Sequence, residues 1–235
     1  MRLFYCPDIE DKVVYTLPKE ESGHCVRVLR KKNGDTIDVI DGKGGLYKAT
    51  IIDNSSNKCV VQPLLVKKVE SQLPYNCHIA IAPTKNIDRV EWFLEKATEI
   101  GISEVSFLLC DHSERKVIKF ERAEKVVISA VKQSLKMYVP KLHDLSSFKD
   151  FINQDFGDMP RYIAHCDDSF ERVPLKSVVG ADSLILIGPE GDFSPEEVKL
   201  ALQKGFISIS LGDSRLRTET AALYAVSIVS ILSSI

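Results

Sequence analysis

The strongest constraint on the fold is a regular alternation of apolar and amphipathic segments that begins at Cys77. Five short apolar runs read as strands: "CHIAIAP", "EVSFLLC", "RYIAHC", "SLILIG" and "ISISLG". Helical patterns stand between or after them, over "NIDRVEWFLEKATEIG", "FERAEKVVISAVKQSLKM", "SFKDFINQ", "PEEVKLALQKG" and "TETAALYAVSIVSIL". Such alternation predicts a parallel sheet with helices on both faces. The first helix should end at Gly101 and bury one side, formed by Val90, Phe93, Leu94, Ala97 and Ile100.

The first 70 residues have a different rhythm. "TIDVIDG", "GLYKATIID" and "KCVVQPLLVKKV" read as strands separated by the turn signals "GKG" and "DNSSN". A short helix is expected at "KEESGHCVRVLR", with Val26 and Leu29 facing inward. The sequence therefore predicts an α/β protein of two domains: a small β-barrel-like module over residues 1–70 and a larger, mostly parallel α/β domain over residues 77–235. The segment "KKVESQLPYN" is the predicted linker.

Composition narrows the class of protein. An apolar fraction of 44% and a charged fraction of 27% are ordinary for a globular protein. The N-terminus does not resemble a signal peptide, and the apolar runs are too short to span a membrane. We therefore expect a cytoplasmic protein with no membrane partner. The cysteines show no CxxC or metal-ligand spacing, so we expect no metal and reduced, mostly buried thiols: Cys6, Cys25, Cys59, Cys77, Cys110 and Cys166.

Charge is unevenly distributed along the chain. The net charge is only −2, which argues against a generally basic nucleic-acid binder. Residues 112–141 nevertheless carry eight Lys/Arg against three Glu, whereas residues 142–235 carry eight against fourteen acidic residues. A basic stripe beside an acidic remainder is compatible with an RNA footprint and equally with a solvated helix face of mixed charge.

The turn after "SLILIG" carries unusual chemistry. Gly188 and Gly191 permit close approach of a ligand to the backbone, while the following residues predict a helix start with a capping box, from Ser194, Pro195 and Glu197. The turn has neither the lysine of a P-loop nor GxGxxG spacing. Glu190 and Asp192 would repel a pyrophosphate, so the ligand should be uncharged or cationic at this point. The alternative is that Glu190 only caps a nearby turn.

A second unusual turn follows "ISISLG". Arg215 and Arg217 lie in a short loop, and Thr218 is the predicted N-cap of the last helix. Arg217 is suited to hold a phosphate or an anion that develops on a substrate. Glu219 lies in the first helical turn, where its structural role would be to favour the helix dipole.

These two turns together resemble a known family. "LILIGPEGDFSPEEV" followed by "ISLGDSRLRTETAALYAV" is similar to the RsmE family of knotted SPOUT-class methyltransferases. "GHCVRVLRKKNGD", "VIDGKG", "RVEWFLEKATEIGISEV" and "AVKQSLKMYVPKL" extend the resemblance over essentially the whole chain. The resemblance implies methylation of uridine N3 in the decoding region of 16S rRNA (uridine 1498), a homodimer, a C-terminal trefoil knot, and a PUA-like N-terminal module that holds RNA of the 30S subunit.

The resemblance also implies site residues. S-adenosylmethionine would lie in the knot, with His165 and Cys166 in a third wall, against Ile187, Gly188, Pro189, Glu190, Gly191, Leu211, Gly212, Leu216, Arg217, Thr218, Glu219, Thr220 and Ala221. Arg217 would stabilise charge on the uridine, and Glu219 is either a base or an orienting group. For RNA contact we expect Arg27, Arg30, Lys31, Lys32, Lys132, Gln133 and Lys136.

Two positions depart from the family pattern. Lys132 stands where a glutamate is usual, and Lys136 stands where an arginine is usual. Lys136 lacks the planar guanidinium of an arginine but keeps a positive charge that can bind a phosphate. In the family, two glycines commonly follow the Pro-Glu pair, and Asp192 stands at the second of these positions. Two alternatives in function are a non-catalytic, knotted RNA-binding assembly factor and a knotted methyltransferase that acts on another RNA.

Overall fold

The structure is a computed structural model that describes residues 2–71 and 73–233. Met1, Gln72, Ser234 and Ile235 lie outside the described residues, so the outer ends of both predicted domains and one linker position are not described. The chain divides into two compact units, one of Met1–Gln72 with Ile128–Val139 and the other of Leu73–Val127 with Pro140–Ile235. Among the described residues, no helix has the length and apolarity needed to cross a bilayer.

The first unit is built on a five-stranded sheet in the order β1-β3-β4-β5-β2. β1 pairs in parallel with β3, and the other neighbours are antiparallel. The predicted short helix is present as α1 (Lys19–Gly23) followed by one π-helical turn (His24–Val28), and Val26 and Leu29 pack against the core as expected. The strands are β1 (Leu3–Tyr5), β2 (Tyr15–Thr16), β3 (Thr36–Ile40), β4 (Gly45–Ser55) and β5 (Lys58–Lys68).

Asp41 fixes the turn between β3 and β4. Its Oδ1 accepts the backbone N–H groups of Lys43 at 2.7 Å and Gly45 at 2.8 Å. Gly44 has a φ of 95°, and a Cβ there would lie 2.6 Å from the hydroxyl of Tyr138, so only glycine fits. The "VIDGKG" stretch therefore owes its composition to the turn.

The second unit holds a seven-stranded sheet whose paired neighbours are all parallel, in the order β10-β12-β9-β11-β6-β7-β8. Its strands are β6 (Asn76–Ile81), β7 (Glu104–Leu109), β8 (Lys141–Ser147), β9 (Arg161–Ala164), β10 (Val173–Pro174), β11 (Asp182–Ile187) and β12 (Ile207–Ser210). Its helices are α2 (Ile87–Ile100), α4 (Phe148–Ile152), α5 (Pro195–Gln203) and α6 (Thr218–Ser233), while α3 (Phe120–Gln133) is divided between the two units at Ile128.

Helices cover both faces of this sheet, which confirms the predicted α/β class. α6 packs against α2, β6 and β11, and α4 and α5 pack over the other face. Ala80 in β6 and Ala82 directly after this strand join the α4–α5 side of the core. The carboxyl ends of β9, β11 and β12 thereby meet at one edge.

The structure corrects several boundaries. Ile100 is 36% exposed and does not share the buried side of α2, whose last buried residues are Ala97 and Thr98. α3 ends at Gln133, not Met137, and Leu135 beyond it has a φ of 57°. β8 was not expected, because "KLHDLSS" is polar and only half-buried. The cysteines are free thiols, and all but Cys166 are buried, as expected.

Candidate functional site

Three loops at the carboxyl ends of β9, β11 and β12 enclose a cavity of about 340 Å³. In open parallel α/β sheets this edge is where ligands bind. Ten of the thirteen residues expected to hold the methyl donor line the cavity, and Gly191, Glu219 and Thr220 do not. The lining consists of Ala164, His165, Cys166, Arg172, Ile187, Gly188, Pro189, Glu190, Asp192, Ile209, Ser210, Leu211, Gly212, Ser214, Arg215, Leu216, Arg217, Thr218 and Ala221.

The first wall is a tight turn between β11 and α5. The N–H of Asp192 donates to the carbonyl of Pro189 at 3.0 Å, and Asp192 adopts a φ of 64°. A Cβ at Gly188 would lie 3.1 Å from the ring of Phe193, which explains the glycine there. The predicted capping box of Ser194 and Glu197 is present and fixes the start of α5.

Glu190 has the capping role that the sequence left as an alternative. Its Oε1 accepts the backbone N–H of Lys85 at 2.9 Å, from the loop after β6. The side chain is exposed and also lines the cavity. Glu190 therefore joins two loops while it contributes negative charge to the site.

Gly191 packs against His112 and does not line the cavity. A Cβ at Gly191 would lie 3.0 Å from the Cβ of His112, and the His112 ring Nδ1 lies 3.1 Å from the carbonyl oxygen of Gly191. Behind it, Ser194 donates to Asp111 and the N–H of Asp111 donates to Glu197. The loop after β7 thus supports the first wall.

The second wall runs from Leu211 to the first turn of α6. The helix begins at Thr218, and the N–H of Ala221 donates to the carbonyl of Arg217 at 2.7 Å. Thr218, which the sequence predicts as the N-cap, is therefore the first helical residue. The N-cap is Arg217, because the intrahelical hydrogen bonds start one residue earlier than expected. Thr220 is exposed outside the lining.

Glu219 is buried and also lies outside the cavity lining. Its Oε1 lies 3.9 Å from Nε of Arg89 on α2, while Oε2 is buried without a hydrogen-bond partner. The two candidate catalytic residues are therefore separated: Arg217 faces the cavity and Glu219 faces α2.

The third wall is the loop after β9. Burial lowers the pKa of His165, so its imidazole is neutral near pH 7. The ring Nε2 pairs with the Ser208 hydroxyl, and Nδ1 is buried without a partner. Arg172 donates to the His165 carbonyl at 2.9 Å. Asp192 accepts the N–H of Cys166 at 2.7 Å, which ties this wall to the first.

Sequence reasoning missed the cavity role of Arg172. Its guanidinium enters the lining from a loop that no motif marks, and it also pairs with Asp168. The cavity contains no cluster of metal-type ligands. The described residues hold one such cluster, His78, Glu104 and His143, and none of the three lines the cavity.

The residues expected to contact RNA, which are six cations and Gln133, all belong to the first unit. Arg30 and Lys32 are exposed, whereas Arg27 donates to Asn57 at 2.9 Å. Lys132 forms an ion pair of 2.6 Å with Glu21. Burial lowers the pKa of Lys136, and the remaining two are the half-buried Lys31 and the exposed Gln133.

The fold and cavity define a two-part protein: a small β module and an α/β domain with a cavity at the carboxyl ends of three of its strands. Residues 71–230 match the family model described as the RNA methyltransferase domain, and residues 17–64 match that of the RNA methyltransferase PUA domain. The chain belongs to this RNA methyltransferase family.

Relatives agree over nearly the whole chain. A Porphyromonas gingivalis structure titled a "probable rRNA-methyltransferase" is 44% identical, with a TM-score of 0.88 and coverage of 100% of this chain and 99% of that one. A ribosomal RNA small subunit methyltransferase E from Neisseria gonorrhoeae, bound to S-adenosyl methionine, is 25% identical, with a TM-score of 0.81 and coverage of 99% and 98%. The ribosomal RNA small subunit methyltransferase E of Rickettsia conorii is 30% identical over 93% of this chain and 90% of that protein.

Proposed function

We propose that the protein transfers the methyl group of S-adenosylmethionine to N3 of a uridine in 16S rRNA, namely uridine 1498. The observation that carries the proposal is the cavity at the ends of β9, β11 and β12, in a chain that belongs to an RNA methyltransferase family. The small-subunit rRNA methyltransferases among its relatives support the choice of 16S rRNA, and the resemblance to RsmE supports N3.

The residues of the cavity fit this methyl donor. The donor carries a sulfonium, an ammonium and ribose hydroxyls, and when bound it supplies an electrophilic methyl group. Glu190 and Asp192 offer carboxylates to cationic and hydroxyl groups, and neutral His165 adds no opposing charge. A cavity of about 340 Å³ with apolar side chains is within the size range of small-ligand sites. Ile187, Leu211 and Leu216 supply the apolar surface.

Arg217 is the proposed catalytic residue. Loss of the N3 proton leaves negative charge that spreads to the two flanking carbonyl oxygens of the uracil. Arg217 lies at the cavity, and its guanidinium N–H groups can donate hydrogen bonds to those oxygens. Its carbonyl accepts the first hydrogen bond of α6, which fixes the backbone from which the side chain extends.

Glu219 is proposed as a positioning residue. A base must lie within hydrogen-bond reach of the proton that it removes. Glu219 is buried beside Arg89 and outside the cavity lining, so it acts through the first turn of α6, which directly follows Arg217.

RNA binding is assigned to the first unit. Arg27, Arg30, Lys31 and Lys32 lie in or just after the helix of the PUA-matched region and would neutralise backbone phosphates. In an RNA duplex, N3 of uridine takes part in the base pair. The target uridine must therefore be unpaired when it enters the cavity. We further propose a homodimer, with the trefoil knot that the resemblance implies.

The first experiment is calorimetric titration of the full chain with S-adenosylmethionine, with two variants that carry the same substitution. Ala221→Leu adds bulk to the cavity lining and should abolish donor binding. Ala181→Leu is the control, because Ala181 is exposed at the amino end of β11. Absence of binding in the wild-type chain would favour the non-catalytic assembly factor.

The second experiment maps the product. 30S subunits lacking the modification are incubated with the protein and labelled donor, and the methylated nucleotide is located in 16S rRNA. Methyl transfer to N3 of the decoding-region uridine is the expected result. Transfer to another position or to another RNA would replace the proposed substrate while leaving the methyltransferase activity.

A further inference from the structure

Two histidines and a glutamate converge on the α4–α5 face of the second sheet, away from the methyl-donor cavity. His78 is on β6, Glu104 on β7 and His143 on β8, and these three strands are neighbours. The register pairs His78 with Glu104 and Ser106 with His143, so the three side chains point to one face. Their candidate ligand atoms all lie within 4.8 Å of one another.

The imidazoles are already oriented by hydrogen bonds. His143 Nε2 lies 2.7 Å from Oε2 of Glu104, and His78 Nε2 lies 2.8 Å from the Ser106 hydroxyl. The two rings are stacked with centroids 5.5 Å apart. His78 is buried, and its ring also meets the edge of Phe151. The three ligand groups are therefore held on packed strands and do not depend on a mobile loop.

A second cavity, of about 350 Å³, opens onto this cluster. It leaves room for water or an anion beside the three protein ligands, which is the arrangement of open zinc sites. Apolar side chains around a metal site limit solvent access and strengthen electrostatic attraction. Here the apolar side chains are those of Phe151, Phe156 and Met159.

We propose that His78, Glu104 and His143 bind a divalent cation of the zinc class. Two imidazole nitrogens and one carboxylate are borderline donors that suit Zn²⁺ or Co²⁺, whereas Mg²⁺ and Ca²⁺ prefer oxygen ligands. Metal–ligand bonds of about 2.0–2.1 Å in a tetrahedral site place neighbouring ligand atoms about 3.4 Å apart. The present ligand atoms, which all lie within 4.8 Å of one another, are close to that spacing.

Lys141 sets the strength of the site. Its Nζ lies 3.9 Å from Oε2 of Glu104 and its side chain is mostly exposed. A bound cation would be repelled by this ammonium, which weakens affinity without occupying a ligand position. Lys141→Met should therefore tighten binding, an effect that a purely structural hydrogen-bond network would not produce.

The test uses untagged full-length protein treated with a chelator and then dialysed. Titration with ZnCl₂ should give one saturable site per chain and should raise the thermal unfolding midpoint, because an ion that binds only the folded state stabilises it. Co²⁺ should give visible absorption bands of a low-coordinate site. MgCl₂ should produce neither effect.

Variants separate this cluster from adventitious binding. Glu104→Gln and His143→Gln keep polar side chains of similar size and should weaken Zn²⁺ binding by roughly tenfold or more. His24→Gln, in the first unit, is the control and should bind as the wild type does. Circular dichroism of the metal-free variants establishes that they are folded. Absence of saturable Zn²⁺ binding, or equal affinity in Glu104→Gln, His143→Gln and wild type, would overturn the proposal.

Discussion

The Glu219 carboxylate on α6 lies 3.9 Å from the Arg89 guanidinium on α2, and its second oxygen is buried without a hydrogen-bond partner. A carboxylate in this position joins two helices beneath the cavity. It does not belong to the cavity lining, although its neighbour Thr218 does. The pair therefore links the packing of α2 to the first turn of α6, which directly follows Arg217.

Glu219→Gln should lower methyl transfer less than a hundredfold and leave donor affinity nearly unchanged, because the amide keeps the shape of the side chain. Loss of a general base costs about 10²–10⁴ in rate. Single-turnover rates with saturating donor measure the effect. Arg89→Gln should produce a loss of similar size, since it removes the other half of the pair. A loss above a thousandfold for Glu219→Gln alone would identify Glu219 as the base.

Arg217→Ala should reduce turnover by about 10²–10³, the usual cost of one charge-stabilising donor. Donor affinity should change by less than about threefold, because one apolar wall and two carboxylates remain. Arg217→Lys keeps the charge but loses the planar guanidinium, so its turnover should lie between that of the wild type and that of Arg217→Ala. Calorimetry and turnover are compared on the same preparations, and parallel collapse of both quantities contradicts the catalytic assignment.

Donor affinity should depend on pH through His165. Burial lowers the pKa of His165 below its ordinary value of 6.5, with a smaller lowering from Arg172 and opposing contributions from Asp192 and Asp167. The imidazole is neutral from pH 7 to 8, so affinity should be constant there. Below the folded-state pKa the imidazolium would repel a cationic donor, and affinity should fall. His165→Asn should remove this fall, and a wild-type affinity that stays constant down to the lowest pH at which the chain remains folded contradicts the prediction.

The double variant Arg30→Ala/Lys32→Ala should weaken binding to 16S rRNA fragments. Each lost phosphate contact lowers the slope of log affinity against log salt by about 0.7–0.9, so two contacts should lower it by about 1.5. Lys199→Ala/Lys204→Ala, which removes two exposed cations from the α5 region, is the matched control. Equal slopes in the two double variants would remove the PUA-matched region from the footprint.

Glu197→Ala should destabilise the second unit by about 2 kcal/mol, because it breaks a capping box and leaves buried N–H groups without acceptors. Glu197 accepts from Ser194 at 2.9 Å and from Asp111 at 3.0 Å. Glu196→Ala, the exposed neighbour in the same helical turn, should cost only a few tenths of a kcal/mol. Urea unfolding followed by circular dichroism measures the free energy of unfolding of both variants. Equal losses in the two variants would show that the capping box does not stabilise the fold.

Local signals in the sequence predicted much of the larger unit. Ser194, Pro195 and Glu197 define a helix start through contacts within four residues, and Gly101 ends α2 as its composition indicates. Such contacts join residues that are close in sequence, so a local motif is enough to predict them. β8 escaped prediction because an edge strand that is half-buried has no apolar run.

The candidate site was less predictable where tertiary packing decides. The Glu219 side chain is directed toward Arg89 on another helix. The spacing of residues along the sequence therefore could not show that Glu219 lies outside the cavity lining. Arg172 reaches the lining from an unmarked loop. His78, Glu104 and His143 come together only because β7 lies between β6 and β8, a relationship that strand order determines.

The hydrogen bond from the N–H of Cys166 to Asp192 has a consequence for how the protein responds to ligands. It connects two loops that are separated by the whole of β10 and β11 in sequence. Stabilising the ordered form of either loop therefore stabilises the other, and the coupling is reciprocal. A donor molecule that orders the turn at Pro189 would prepare the loop at His165 before any RNA arrives, and an RNA contact at that loop would in turn slow the donor's departure.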